Sequence, residues 1–519
     1  MKKIILLIFL SVMVNFFAQN DSQINWYNGS IPGLNTEKAY KFLKKKNKKS
    51  QEVIVAVIDS GVDIEHEDLQ GKIWINKKEI PDNKIDDDAN GYVDDIYGWN
   101  FLGNSKGENL EYARYEKVRI YADLRDKYER LERSQVTESD EYNLYTKLKK
   151  EIKESIAEYE NYREQNKQLI QILKFIPNYV ATKVGKTDFN LKDLKNWKAE
   201  GEDEMQIKSI AIAVLLGEIS EEILAEQLKQ IEDELNYHLN PDFDDRKIIG
   251  DKPHDFEDIK YGNNDVEGID ALHGTHVAGI IAALRENNLG GDGVAENVKI
   301  MSLRAVPNGD EHDKDIALAI RYAVDNGAKV INMSFGKAYS SYQNEVYQAM
   351  LYADSLDVLL VHAAGNDHKN IDVESNFPSV NYVFQKKTID LLFTIGASTY
   401  VNGMLAADFS NYGKKSVDIF APGLDIYNTI PNNKYKKLDG TSMAAPMVSG
   451  VAAFLKSYYP NLDMKQIKSI IIQSGKDFSN STQKKPGEDS KVEFSNLSSS
   501  GKIVNVFNAV KMCENQFLK

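Results

Sequence analysis

The stretch Val53–Asp59, "VIVAVID", decides the fold. Six consecutive apolar residues, mostly β-branched, predict a strand buried on both faces. The run ends in Asp59 and is followed by Ser60-Gly61, a turn signal. A carboxylate at the C-terminal end of a central parallel strand lies where open α/β sheets place their ligand crevice.

Downstream, the same pattern returns between helices. From about residue 273, "HGTHVAGIIAAL" has a helical pattern, and "VKIMSLRAV" and "KVINMSFG" predict strands with the helix "DIALAIRYAVDNG" between them. "VLLVHAAGN" and "LLFTIGAST" predict two more strands. Strands alternating with helices imply an α/β fold with a doubly wound parallel sheet. Residues 104–240 differ in character. No glycine or proline occurs between Glu108 and Ile176, and Leu144, Leu148, Ile152, Ile156 and Tyr159 form a helical stripe. A helical hairpin or small helical subdomain is therefore inserted into the α/β domain, with its charged faces solvated. The expected divisions are residues 20–103 and 241–512 for the main domain, 104–240 for the insertion and 513–519 for a polar tail. Residues 20–50 read as a short lead-in, and 241–272 as an acidic loop.

The bulk numbers narrow the function classes. The chain has 519 residues, 42% hydrophobic and 27% charged, which fits a globular protein. A net charge of −14 argues against a nucleic-acid partner. Residues 1–19 combine a basic start with an apolar run, the pattern of a secretory signal peptide cleaved after Ala18 or Gln19. Export to the periplasm or the medium is the expected location. No later segment is long and apolar enough to span a bilayer, so no membrane span is expected after signal removal. Cys513 is the only cysteine, which excludes an intramolecular disulfide.

The loop at residues 82–101 contains Asp86-x-Asp88-x-Asn90-Gly91, followed by Asp94. Alternating oxygen ligands and a glycine turn resemble the start of a calcium loop, although Tyr97 occupies the twelfth position, where a bidentate glutamate is expected. A structural calcium ion and a solvated acidic turn both stay open on the sequence.

Three groups point to acyl-transfer chemistry. Such a site needs a hydroxyl nucleophile, an imidazole to take its proton and a carboxylate to orient that imidazole. Ser442, His273 and Asp59 fill these roles, each at a helix start or strand end. Backbone N–H groups at a helix start also favour a developing oxyanion at Ser442.

"VIDSGVD", "HGTHVAG" and "GTSMAAP", in that order, resemble the aspartate, histidine and serine motifs of the subtilisin-like serine peptidases, the subtilases. The resemblance implies a subtilisin-like sheet and peptide-bond hydrolysis through Asp59, His273 and Ser442, with no cofactor in the chemistry. It also implies that Ser334, Phe335 and Gly336 pair with the substrate backbone. Ala363, Ala364 and Gly365 would line the pocket for the residue before the scissile bond, and Asn366 would supply an oxyanion-hole amide. Proteins or peptides are the expected substrates. The alternative is a catalytically weak scaffold that binds or regulates partners through its helical insertion. Asp59 and His273 lie 214 positions apart, far more than is usual in the family, mostly because of the insertion. His66, His362 and His368 match no catalytic position and are expected to be structural or exposed, His276 is expected to be a packed helix residue, and Asp63 a turn residue.

Overall fold

The structure, a computed structural model, describes residues 24–132 and 138–516. The expected signal peptide and residues 517–519 lie outside the described residues. The chain divides into two compact units, Gln19–Glu116 with Asp244–Lys519, and Lys117–Phe243.

The first unit is built on strands β1 (Val53–Asp59), β2 (Gly98–Asn100), β3 (Val298–Arg304), β4 (Val330–Met333), β5 (Leu359–Ala363), β6 (Leu392–Ser398) and β7 (Ile419–Pro422). A hairpin, β8 (Ile426–Ile430) and β9 (Lys434–Leu438), follows. The short strands β10 (Lys476–Asp477), β11 (Thr482–Lys484), β12 (Lys491–Glu493) and β13 (Lys502–Ile503) complete it. Nine of these form one sheet in the order β10-β13-β7-β6-β5-β4-β1-β3-β2. Only the β10–β13 pair is antiparallel; every other pair in this sheet is parallel.

β1 is buried on both faces, as its apolar run predicts. Val53, Val55 and Val57 enter one core cluster with the helices Leu272–Ala282 and Thr441–Tyr458. Ala56 and Ile58 enter the other, with the helices Asp313–Asp325 and Gln343–Ser355. This is the period-two alternation of a strand between two helical layers. Strand order also reverses at β1: β3 and β2 lie to one side, and β4 to β7 to the other. Asp59 therefore ends its strand at the switch point of the sheet, where the helix connections diverge and leave a crevice.

Several elements depart from the sequence expectations. Residues 20–50 are more than a lead-in: Tyr27, Leu34, Ala39 and Leu43 have no exposed surface and belong to the main core, with Thr36–Lys45 forming a helix. Nor does Cys513 lie in a polar tail. It lies in the helix Val506–Gln516, and its thiol is fully buried in the same core, where desolvation pushes its pKa up to about 12. The acidic stretch after Asp244 is tied down by a buried ion network. Arg246 reaches Asp315 and Asp251 at 2.7 Å each, and Lys314 reaches Asp251 at 2.8 Å.

The second unit is helical. Its compact boundary begins at Lys117 rather than at residue 104, because the preceding residues bond within the first unit: Arg114 pairs with Asp245 at 2.9 Å and Glu116 with Lys337 at 3.2 Å. The 45-residue helix Asp140–Val184 starts at Ser139, whose hydroxyl accepts from the Tyr142 N–H, and stops at Gly185 in a left-handed conformation. Leu148 and Ile152 of the predicted stripe are buried, and Tyr145 stacks on Tyr121 at 5.8 Å. Farther along, Leu173, Ile176 and Val180 form a small core with Leu194, Ile210 and Leu224 from the shorter helices that follow. Among the described residues, no helix is long and apolar enough to cross a membrane.

Candidate active site

Asp59 is positioned by β1, and its side chain is almost wholly buried. Its Oδ1 accepts hydrogen bonds from the Ser60 N–H at 2.8 Å and from His273 Nδ1–H at 2.7 Å. The carboxylate can only accept, so the proton sits on Nδ1 and Nε2 is left with its lone pair. His273 is the second residue of the helix Leu272–Ala282. The next residue, Gly274, lets this helix press against the end of β1: a Cβ there would lie 2.1 Å from the Gly61 carbonyl oxygen. Burial works against charge on His273, but the charge and hydrogen bond of Asp59, together with the charge of Asp270, outweigh it, and the imidazole pKa is raised above its ordinary value.

Ser442 is the second residue of the helix Thr441–Tyr458. Its hydroxyl donates to the Ser334 carbonyl at 3.2 Å, and no hydrogen bond joins it to His273. The Ser334 hydroxyl in turn donates to the Ser442 carbonyl at 2.9 Å. Behind this pair runs a buried polar chain: Asn332 Nδ2 donates to Ser334 Oγ at 2.9 Å, and Ser449 Oγ donates to Asn332 Oδ1 at 2.8 Å. These bonds fasten the helix start to β4. Sequence reading missed Asn332 and Ser449. The signal was available, since an asparagine inside the apolar run "VINM" needs a buried partner.

Asn366 follows β5 and is exposed. Its Oδ1 accepts from the Thr441 N–H and the Thr441 hydroxyl, both at 2.9 Å, and Thr441 Oγ1 accepts from the Gly365 N–H at 3.0 Å. With its oxygen thus engaged, the amide turns Nδ2 away from Thr441. Gly440 has φ +152°, and a Cβ on it would meet Asn366 Nδ2 at 3.4 Å and the Ser442 nitrogen at 3.5 Å. Asn366 Nδ2 and the Ser442 nitrogen thus both lie close to the backbone of Gly440. Thr441 was not singled out from sequence. Ser334, Phe335 and Gly336 line a cavity of about 370 Å³ together with Asp59 and His273. Ala363 and Ala364 are buried at the end of β5, and their carbonyls accept from Asn376 Nδ2.

The chain belongs to the subtilase family. The family model for subtilases matches residues 50–492. A thermophilic serine proteinase of Bacillus sp. (strain AK1) is 38% identical over 231 residues, 44% of this chain and 52% of that protein. The cell wall-associated protease of Bacillus subtilis (strain 168) is 36% identical over 234 residues, 45% of this chain and 24% of that protein. Subtilisin DY of Bacillus licheniformis is 36% identical over 198 residues, 38% of this chain and 68% of that protein. The match thus spans about half the length of the first of these relatives and less of the second.

In this subtilase four other histidines bond to backbone groups. His276 is fully buried, and its Nε2–H donates to the Ile426 and Lys436 carbonyls, both at 3.0 Å, clamping β8 to β9. His362 Nε2–H donates to the Phe335 carbonyl at 2.9 Å. Desolvation lowers the pKa of each to about 4. His66 bonds the Lys434 carbonyl and the Asp68 N–H, and His368 bonds the Asp408 carbonyl. Asp63 accepts from the Glu65 and Asn432 N–H groups, tying the turn after β1 to the β8–β9 turn.

The acidic loop gathers differently from the sequence expectation. Asp86 and Asp88 present carboxylate oxygens within 4.8 Å of each other and of Glu79, which the sequence reading did not include. Glu79 Oε1 accepts from the Asp87 and Asp88 N–H groups, while its buried Oε2 has no partner. Asp94 is not part of that group, and its carboxylate accepts from the Asn83 and Lys84 N–H groups at 3.2 and 2.9 Å. Asn90 Oδ1 accepts from the Tyr92 N–H.

The two helix histidines, three residues apart, are expected to titrate far from each other. By ¹H–¹⁵N NMR of the imidazoles, His273 should become protonated above the ordinary histidine value of about 6.5, whereas His276 should stay neutral until about pH 4. Because Asp59 is the main group that raises this pKa, Asp59→Asn should move the His273 transition downward. A transition unchanged by Asp59→Asn would refute this assignment.

Proposed function

We propose that this subtilase is an exported serine endopeptidase that acts through Asp59, His273 and Ser442. The 2.7 Å contact between His273 and Asp59 carries the reading, because it fixes the imidazole tautomer a general base needs. In this mechanism the Ser442 hydroxyl leaves the Ser334 carbonyl, gives its proton to His273 Nε2 and attacks the scissile carbonyl. Asp59 holds the ring and stabilises its cation. Asn366 Nδ2 and the Ser442 N–H receive the oxyanion. His273 then protonates the departing amine, and a water activated by the same nitrogen releases the acyl group. Ser334, Phe335 and Gly336 meet the substrate backbone, and Ala363, Ala364 and Gly365 line the pocket for the residue before the scissile bond. The leader-like residues 1–19 support export.

A fluorophosphonate should label Ser442, and Ser442→Ala should abolish both labelling and casein hydrolysis. Asn366→Ala should lower kcat by about 10²–10³ with little change in KM, the usual cost of one oxyanion donor. Thr441→Val should act in the same direction with a smaller loss. Labelled protein that cleaves no peptide would favour the scaffold alternative, and failure to label would reject the nucleophile.

The loop cluster fits a structural calcium ion, since all its donors are oxygen and Glu79 contributes a buried, unpartnered one. In this reading Glu79, Asp86 and Asp88 hold the ion, while Asn90 and Asp94 shape the loop around it. The expected outcome is a thermal midpoint that rises with calcium and falls with EDTA, as linkage requires of a ligand bound only by the folded state. Glu79→Gln should remove most of that dependence. Midpoints that ignore both reagents would exclude the site.

A further inference from the structure

Gly336, in the segment proposed to meet the substrate backbone, is exposed between two buried neighbours, Phe335 and Lys337. Among the described residues its N–H and carbonyl make no hydrogen bond, so this peptide edge stays open. Both neighbours are pinned. The Phe335 carbonyl accepts from His362 Nε2–H at 2.9 Å. The Lys337 N–H donates to the Phe377 carbonyl at 3.1 Å, and the Lys337 carbonyl accepts from the Phe377 N–H at 2.8 Å. That bridge is isolated and leans on a loop. The Lys337 side chain adds a firmer tie. Its buried ammonium lies 2.8 Å from Asp313 Oδ1 and 3.2 Å from Glu116 Oε2, and donates to the Glu311 carbonyl at 2.7 Å. The second oxygen of each carboxylate turns back on the same segment. Asp313 Oδ2 accepts from the Tyr342 N–H at 2.7 Å, and Glu116 Oε1 from the Ser341 N–H at 3.1 Å. Asp313 opens the helix Asp313–Asp325, so the clasp fastens residues 337–342 to a regular element of the core.

A buried ion cluster adds little stability over apolar packing, because desolvation offsets the attraction. What it supplies is direction, since an ammonium fits only where its acceptors converge. We infer that Lys337 is a positioning residue for substrate binding: its clasp holds the open Gly336 peptide where an extended chain can pair with it. The inference rests on the peptidase reading and deepens it. A chain that adds to an exposed strand edge gains affinity from main-chain hydrogen bonds, and these weaken steeply when misaligned. Lys337, Asp313 and Glu116 take no part in the proposed bond-breaking steps. Their effect should therefore fall on extended substrates and largely spare small ones.

The test compares two substrates on the full-length protein: an extended, internally quenched peptide, and p-nitrophenyl acetate, which is too short to pair with the segment. Lys337→Met keeps most of the side-chain volume and removes the charge. It should lower the peptide-to-ester ratio of kcat/KM by roughly 10–100-fold, the scale of a small misplacement, and mostly through the peptide KM. The fluorophosphonate should still label Ser442 in this variant. Because Lys337→Met leaves two carboxylates buried without their cation, Glu116→Gln is measured beside it; it keeps the shape and should move the ratio in the same direction by less. A merely structural role would lower the thermal midpoint and slow both substrates alike. A ratio unchanged in the folded variants, or a loss confined to peptide kcat, overturns this inference and leaves the peptidase reading intact. If the unaltered protein cuts no peptide and Ser442 resists the fluorophosphonate, both readings fall together.

Discussion

The site depends on the hydrogen bond between a buried carboxylate and an imidazole that arrives from a distant part of the sequence. Asp59 is held at the end of a strand with packed helices on both faces, so it has almost no freedom to move. His273 reaches it only because the following glycine removes the side chain that would strike the Gly61 carbonyl. Low dielectric strengthens the pairing and is also why one member alone would be costly to bury. The raised His273 pKa follows: burial penalises the cation, but Asp59 and Asp270 together stabilise it by more.

A second constraint acts on the helix that carries the proposed nucleophile, Ser442. Thr441 fastens Asn366 to the turn before Ser442, and Asn332 and Ser449 fasten the same helix to β4 through Ser334. The hydroxyl of Ser442 rests on the Ser334 carbonyl, so the bond to His273 belongs to the loaded state in the proposed mechanism. Apo sites commonly tighten such contacts only when substrate is present. Asp59 and Asn366 each accept two hydrogen bonds, while the Ser442 hydroxyl makes a single one.

How much of this was legible in the sequence depended on whether the information was local. β1 appeared at its observed ends because its apolar run and closing aspartate are contiguous, and the triad candidates stood out because each sits in a short motif at an element boundary. The long helix was visible through its stripe of Leu148 and Ile152. What stayed hidden depends on register between distant segments. Glu79 looks like any surface glutamate until the loop folds back and its carboxylate receives the Asp87 and Asp88 N–H groups. Asp94 has the spacing of a ligand, yet adopts φ +54° and turns to cap residues 83 and 84. Tyr27 and Leu34 sit in a polar-looking lead-in, and only the packed core shows that they belong to it.

The central claim is that Asp59, His273 and Ser442 act as one device, and the most direct measurement of it is energetic coupling. Residual kcat/KM should be compared for Asp59→Ala, His273→Ala and Ser442→Ala singly and together. If the three act as a unit, the triple variant should be no slower than Ser442→Ala or His273→Ala alone, because either single change already disables the device. Losses that multiply across the three substitutions would show independent contributions and contradict the account.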